Sequence, residues 1–379
     1  MNLSSRERIM RILRSEPVDR IAVKVWGLEP GQKLLHPDYQ PVYDLAVEKT
    51  DLFCNSGSSF DFIAGQAAER YETNRLVVSR EWTEVQTVLH TPEGDLHQKA
   101  LESNSGKPGY VMSHFVKEPA DLMKLLAIPY QPYSIPLDSY FTRDAEIGDR
   151  GIVIFGLDHP GYAVQRLMGS ELFALMSVDE RDLLRDAIRE FSRRLRRHVE
   201  SALDAGLRER GKREGFVMGW VGPELLIPPL LSFKDFDEFC FDVDKPLIDL
   251  IHDAGGHVWI HSHGRMSRLI NRFAEMGCDT LNPIEPPPMG DIILEDAFKE
   301  ANGRVSLEGN IEIHEILQAS ESRLKDLIDE AVAIGARYGR FILCPSTGYM
   351  EVPQPSSTMI RNLLTYVNFG LQCAEKYRY

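Results

Sequence analysis

The chain has 379 residues, 43% of them hydrophobic and 26% charged, with 57 acidic against 43 basic residues and a formal net charge of −14. These proportions exclude disordered and fibrous classes. The acidic balance argues against nucleic acid and an anionic membrane surface as partners, because both call for a basic face.

At the N-terminus, MNLSSRERIMRILRSEPVDR is amphipathic, and Ser4 with Glu7 makes a capping box for a short helix. It lacks the apolar core of a secretory signal, and no later apolar run approaches the ~18 residues of a membrane span. The five cysteines (Cys54, Cys240, Cys278, Cys344, Cys373) are odd in number and show no CxxC spacing. Reduced thiols in a cytoplasmic protein are the expectation.

Arg20–Trp26 reads as a first strand, 43–48 as a helix and 52–54 as a second strand. From about 55 to 150 the alternation breaks down. There 84–90 and 96–100 flank a TPEGD turn and read as a hairpin, and IPYQPYSIPLDSYF reads as an ordered loop. This stretch is expected to be an elaboration, hairpin and loops, over one end of a larger fold. From 151 onward, short apolar runs at 151–156, 216–221, 257–264, 279–284, 304–310 and 340–348 alternate with helical periods. In 181–206, for example, Leu184, Ile188, Phe191, Leu195, Val199 and Leu203 share one face. Strands alternating with helices imply a parallel sheet. The six runs join the two earlier ones to predict an α/β fold, a single (β/α)8 TIM-barrel domain over residues 1–379. No GxGxxG follows the first strand, so a dinucleotide fold lacks support.

Active sites of such barrels lie at the carboxyl ends of the strands. Those ends carry Trp26, Cys54-Asn55, Asp158-His159, Trp220 with Glu224, His261-Ser262-His263, Asn282 with Glu285, Glu308 with Asn310, and Cys344 with Thr347. In HVWIHSHG the alternation of a strand puts Val258, Ile260 and Ser262 on one side and Trp259, His261 and His263 on the other. His261 and His263 then point together into the mouth, and Gly264 turns the chain away. Two such imidazoles suit a shared metal, or hydrogen-bonded core or substrate contacts, equally well. Cys344 reads as a thiolate ligand or as a small buried side chain. Glu224, Glu285 and Asp158 are candidate acids, bases or further ligands, against a bland role capping helices or turns. Trp26, His159, Trp220, Asn282, Glu308, Asn310 and Thr347 are the candidate substrate contacts. Walker, GxSxG and HExxH motifs are absent.

Four segments resemble the uroporphyrinogen-decarboxylase-like superfamily: RERIMRILRSEPVDRIAV, HVWIHSHGRMSRLINRFAEMGCDTLNPIEP, VSLEGNIEIHEIL and FILCPSTGYMEVPQPSSTMIRNLL. The resemblance runs nearly end to end in the family's order and implies a (β/α)8 barrel with a deep cleft. True uroporphyrinogen decarboxylases carry an arginine-rich segment after the first strand and a late GHG. Here those positions read KVWGLEPG and PSTG. The other branch holds corrinoid-dependent methyltransferases, whose thiol-methylating members carry HxC and a PGCG-like turn. This chain keeps His261, has His263 at the Cys position and Thr347 in the later slot, with Cys344 three residues before it. The resemblance thus implies either a Zn²⁺ site of His261, His263, Cys344 and a glutamate, or no metal.

The function expected is the methyltransferase component of a corrinoid-dependent O-demethylation system. It moves a methyl group from a small donor such as an aryl methyl ether to a corrinoid carried by a separate protein, with a homodimer as the expected assembly. The alternative is a metal-free decarboxylase or lyase of a small carboxylic acid. That chemistry wants cationic clamps, and Arg265 is the nearest one visible.

Overall fold

The structure, a computed structural model, describes residues 2–57, 60–132, 135–348 and 354–378. In chain order its strands are β1 (Ala22–Val23), β2 (Leu52–Gly57), β3 (Tyr71–Val77), β4 (Trp82–Leu89), β5 (Leu96–Ser103), β6 (Tyr110–Ser113), β7 (Gly151–Asp158), β8 (Phe216–Val221), β9 (Gly256–His261), β10 (Thr280–Ile284), β11 (Ser306–Ile311) and β12 (Phe341–Pro345). Eight of them form one parallel sheet in the order β1-β12-β11-β10-β9-β8-β7-β2. The two ends of this curled sheet meet where the Asp51 N–H donates to the Val23 carbonyl at 2.9 Å, as a (β/α)8 barrel requires. The expected runs all appear as strands, although the first is confined to two residues.

The expected hairpin is β4–β5, paired from Trp82↔Ser103 to Leu89↔Leu96. It belongs to a four-stranded antiparallel sheet, β3-β4-β5-β6, inserted between β2 and β7. The outer strands β3 and β6 escape a periodicity reading because both are mostly solvent-exposed. No helix of the described residues is long and apolar enough to cross a membrane.

Two apolar layers result from strand alternation. Outward residues such as Met218, Trp220, Val258, Ile260 and Leu343 pack against the helices. Inward residues Ala22, Phe53, Ile152, Ile154, Val217, Trp259 and Ile342 fill the barrel, together with Ile9, Ile12 and Leu13 of the N-terminal helix Ser5–Leu13. Gly219 makes room for Trp259, since a Cβ there would meet the indole Cε3 at 2.9 Å. Ser4 caps the helix by accepting the Glu7 N–H at 3.1 Å. The helix plugs the amino end of the barrel, and each fully buried Ile contributes about 1.5–3 kcal/mol.

A buried ionic cluster fastens this plug. Arg8 reaches Asp19 at 2.8 Å and Asp51 at 2.7 Å, and Arg20 reaches Asp51 at 2.9 Å. Asp51 also accepts the Val23 N–H at 2.9 Å, so one carboxylate ties helix, β1 and β2 together. Burial pushes the Asp19 carboxyl up, but the hydrogen bond and charge of Arg8 more than offset it and hold the group below the usual carboxylate range. Removing one member of such a network leaves uncompensated buried charge. Arg8→Ala is therefore expected to lower the unfolding free energy by about 3–5 kcal/mol in guanidinium denaturation. A loss below about 1 kcal/mol, the range of exposed pairs, would contradict this account of the plug.

Candidate active site at the carboxyl end of the strands

The centre of the barrel holds a Lys24–Glu308 ion pair at 2.6 Å, with side chains 3% and 0% exposed. Both oxygens of Glu308 are engaged. Its Oε1 also accepts Asn282 Nδ2 at 2.8 Å, and its Oε2 accepts Trp259 Nε1 at 2.9 Å. The Lys24 ammonium rests on the rings of Trp26, Phe53 and Trp259, with centroids at 4.2, 4.6 and 5.0 Å.

This core orients the first histidine. Because Asn282 Nδ2 donates to Glu308, its Oδ1 faces His261 Nδ1 at 2.6 Å. An amide oxygen can only accept, so Nδ1 carries the ring proton and Nε2 keeps a bare lone pair. His261 and Asn282 are register partners on β9 and β10, which places them side by side on one face. Burial, with His263 adding, pulls the His261 pKa down to about 4, so the ring is neutral at physiological pH.

His263 lies just beyond the strand, where Gly264 turns with φ +101°, and its ring meets that of His261 at 4.6 Å. Glu285 holds it, with Oε1 at 2.9 Å from Nδ1, while Oε2 accepts the Gly264 N–H at 3.1 Å. Burial lowers the His263 pKa, but Glu285, aided by Glu224 and Glu312, outweighs it and the net shift is upward. The two histidines thus differ in charge preference, one neutral and one inclined to protonation.

Glu224 and Glu312 complete the mouth. Burial raises both carboxyls, and Glu312, beside Glu285, is pushed up to about 7. Glu224 Oε2 accepts the Gly222 N–H at 3.1 Å. Glu312 Oε2 accepts the Ser346 hydroxyl at 3.3 Å. A carboxyl titrating near neutrality can hold and release a proton in catalysis.

Other candidates are placed differently. Trp220 and His159 face the helical layer instead of the mouth: Trp220 Nε1 donates to Asp244 Oδ2 at 3.2 Å, and His159 Nε2 lies 3.0 Å from Asp244 Oδ1. Asp158 is half-exposed and 3.9 Å from Arg166. Asn310 and Thr347 are half-buried, and Arg265 is exposed. Cys344 shares the inward parity of Ile342 and is fully buried beside Glu308 and Lys24, its thiol pushed well up by burial.

The ligand atoms of the expected zinc set, His261, His263 and Cys344, do not all lie within 4.8 Å of one another. Among the described residues, the group of three whose ligand atoms lie within 4.8 Å of one another is His159, Cys240 and Asp244. That group could hold a metal ion, since His159 Nε2 and Asp244 Oδ1 lie 3.0 Å apart and neither has a hydrogen-bond partner among the described residues. His159 Nδ1 accepts the Gly161 N–H at 2.9 Å, which leaves Nε2 as the ring nitrogen turned toward Asp244. All three side chains are buried behind the barrel wall.

Lys24, Glu312 and Ser346 were not among the sequence candidates. Lys24 shares the inward parity of Ala22 and Trp26, and Glu312 continues that of Ser306 and Glu308. That signal was present in the sequence.

These strands and loops carry a family signature. Residues 227–367 match the model of the uroporphyrinogen decarboxylase (URO-D) family. The match spans β9 to β12 and bears out the family resemblance read from the sequence. Among solved structures, a methyltransferase from Methanosarcina mazei superposes with a TM-score of 0.59 at 14% identity, covering 97% of this chain and 99% of that one. At that identity the likeness shows a shared fold. An L-ribulose 3-epimerase aligns with a TM-score of 0.40 at 12% identity over 70% of this chain and 93% of that one, which carries no weight. A search of curated proteins gave no match.

The different environments of the two histidines predict distinct titrations. In histidine-labelled protein, NMR is expected to show His261 neutral and invariant from about pH 5.5 to 8, and His263 titrating above its ordinary value near ~6.5. A His261 midpoint at that ordinary value would contradict the buried network described here.

Proposed function

We propose that the protein is a methyltransferase, the component of a corrinoid-dependent demethylation system that accepts a small methyl donor. The observation that carries this reading is the charge of the mouth. Glu224, Glu285 and Glu312 surround His263, while Lys24 is neutralised by Glu308 and His261 is held neutral. Such a site repels the carboxylate that a decarboxylase must bind, and suits a neutral or cationic donor. The URO-D match and the fold shared with a methyltransferase are compatible with it.

The residues divide the work. His261 presents a fixed Nε2 lone pair, an acceptor for an N–H or O–H of the substrate. His263 and Glu312 hold protons near neutrality, and Glu224 adds a third carboxyl raised by burial. Glu285, with both oxygens engaged, positions His263. When the donor is an ether, protonation of its oxygen turns a poor alkoxide or phenoxide leaving group into an alcohol or phenol. An ammonium donor leaves as a neutral amine and needs no proton. The methyl acceptor is the Co(I) corrinoid of a separate protein, a co-substrate that approaches the open carboxyl end.

Methyl transfer to free cob(I)alamin, followed by the visible spectrum across a panel of methyl ethers and methylated amines, tests this. His261→Ala is expected to lower the rate about 10²–10⁴-fold, the range for removing a positioned polar group. Release of CO₂ from a small carboxylic acid, with no donor methylating the corrinoid, would replace this reading with the decarboxylase.

A further inference from the structure

The mouth around His263 is short of positive charge. Glu285 contacts the imidazole at 2.9 Å, and the charges of Glu224 and Glu312 also act on it. Nearby cations do not redress the balance. Lys24 is taken by Glu308, His261 is neutral and Arg265 is exposed.

Glu312 points to what is missing. Its side chain is 5% exposed, and Oε2 has Ser346 Oγ at 3.3 Å and His314 Nδ1 at 3.9 Å. Oε1 has no hydrogen-bond partner among the described residues. The charged groups acting on this carboxyl include Glu285 and His263, which places it on the mouth's own cluster. A buried acceptor left without a donor costs about 1–3 kcal/mol, and more when charged. A ligand that brings an N–H and a positive charge would satisfy it. Aromatic faces are also at hand: the half-buried Trp26 stands edge-on to His261 at 5.5 Å, and the barrel already seats one ammonium, that of Lys24, on its tryptophans.

We propose that the methyl donor is an N-methylated ammonium cation, held by Glu312 and Glu224 beside the His263–Glu285 pair, rather than a neutral ether. The proposal rests on the methyl-transfer reading above and narrows its substrate class. In the transfer the C–N bond breaks with its electron pair passing to nitrogen, and a neutral amine leaves. The Co–C bond forms from the electron pair of the Co(I) corrinoid. Charge and atoms balance without an added proton or oxidant, so the carboxylates act as counter-charge.

The test is calorimetric titration of the full chain with trimethylammonium chloride at constant ionic strength. The comparison ligands are tert-butanol as a neutral control of similar shape, anisole, and zinc chloride. Saturable binding of trimethylammonium that exceeds both neutral ligands is expected, weakened about tenfold or more by Glu312→Gln. Glu224→Gln is expected to weaken it severalfold, and Glu321→Gln, in an exposed pair with Lys325, to leave it unchanged. Absence of saturable binding, equal loss in Glu321→Gln, or tighter binding of anisole unaffected by Glu312→Gln would overturn the proposal. So would tight zinc binding that displaces trimethylammonium and is lost in Glu312→Gln, which would make the cluster a metal site. The titration contains no corrinoid. Ammonium binding without methyl transfer would therefore sink the functional reading alone, and methyl transfer from ethers without ammonium binding would sink this inference alone.

Discussion

Burying an ammonium against a carboxylate in the middle of the barrel is the constraint on which the rest of the site depends. An ion pair removed from water is tolerated only when its remaining hydrogen-bonding capacity is met. Glu308 meets it by accepting from Lys24, Asn282 and Trp259 together, and Lys24 by lying on three aromatic rings. Each of those partners is thereby fixed in orientation. The Asn282 amide has one possible direction, and through it the His261 ring has one tautomer. A charge that contacts neither solvent nor the open mouth thus determines which nitrogen the mouth presents.

The two ends of the barrel use charge in opposite ways. At the amino end, arginines and aspartates of the N-terminal helix, β1 and β2 are matched, and the cluster closes the floor. At the carboxyl end, carboxylates outnumber cations around His263, and one oxygen of Glu312 stays unpaired. Matched buried charge holds structure. An unmatched buried carboxyl such as Glu312 is partly protonated near neutrality, and a ligand of opposite sign takes that proton's place on binding.

Much of the fold was legible because alternation and helical period survive in the inner strands and outer helices. All eight barrel strands stood out as short apolar runs, and the inward face of Trp259 and His261 followed from parity alone. The exposed strands β3 and β6 left no such trace, since neither face is buried. For the site, His261, Asn282 and Glu308 form one hydrogen-bonded chain with the His263–Glu285 pair beside it, whereas Trp220 and His159 turn outward to Asp244. Proximity to a strand end does not say which way the last residue faces when the chain is already turning into a helix. Lys24 stands in an apolar run, where only its shared parity with Ala22 and Trp26 marks it as inward. Which carboxylate lacks a partner depends on contacts between β11 and the turn after β12, and no single segment records them. The later family segment runs through residues 349–353, which lie outside the described residues.

The central claim is that the buried Glu308–Asn282 chain fixes the lone pair that His261 presents to the mouth. Nitrogen-15 NMR of ring-labelled histidine reads this directly, by distinguishing protonated from bare ring nitrogens, in the parent and in Asn282→Leu. The account predicts a protonated Nδ1 and a bare Nε2 for His261 in the parent, and loss of that single tautomer in the variant. A parent His261 protonated on Nε2, or a tautomer indifferent to Asn282, would contradict it.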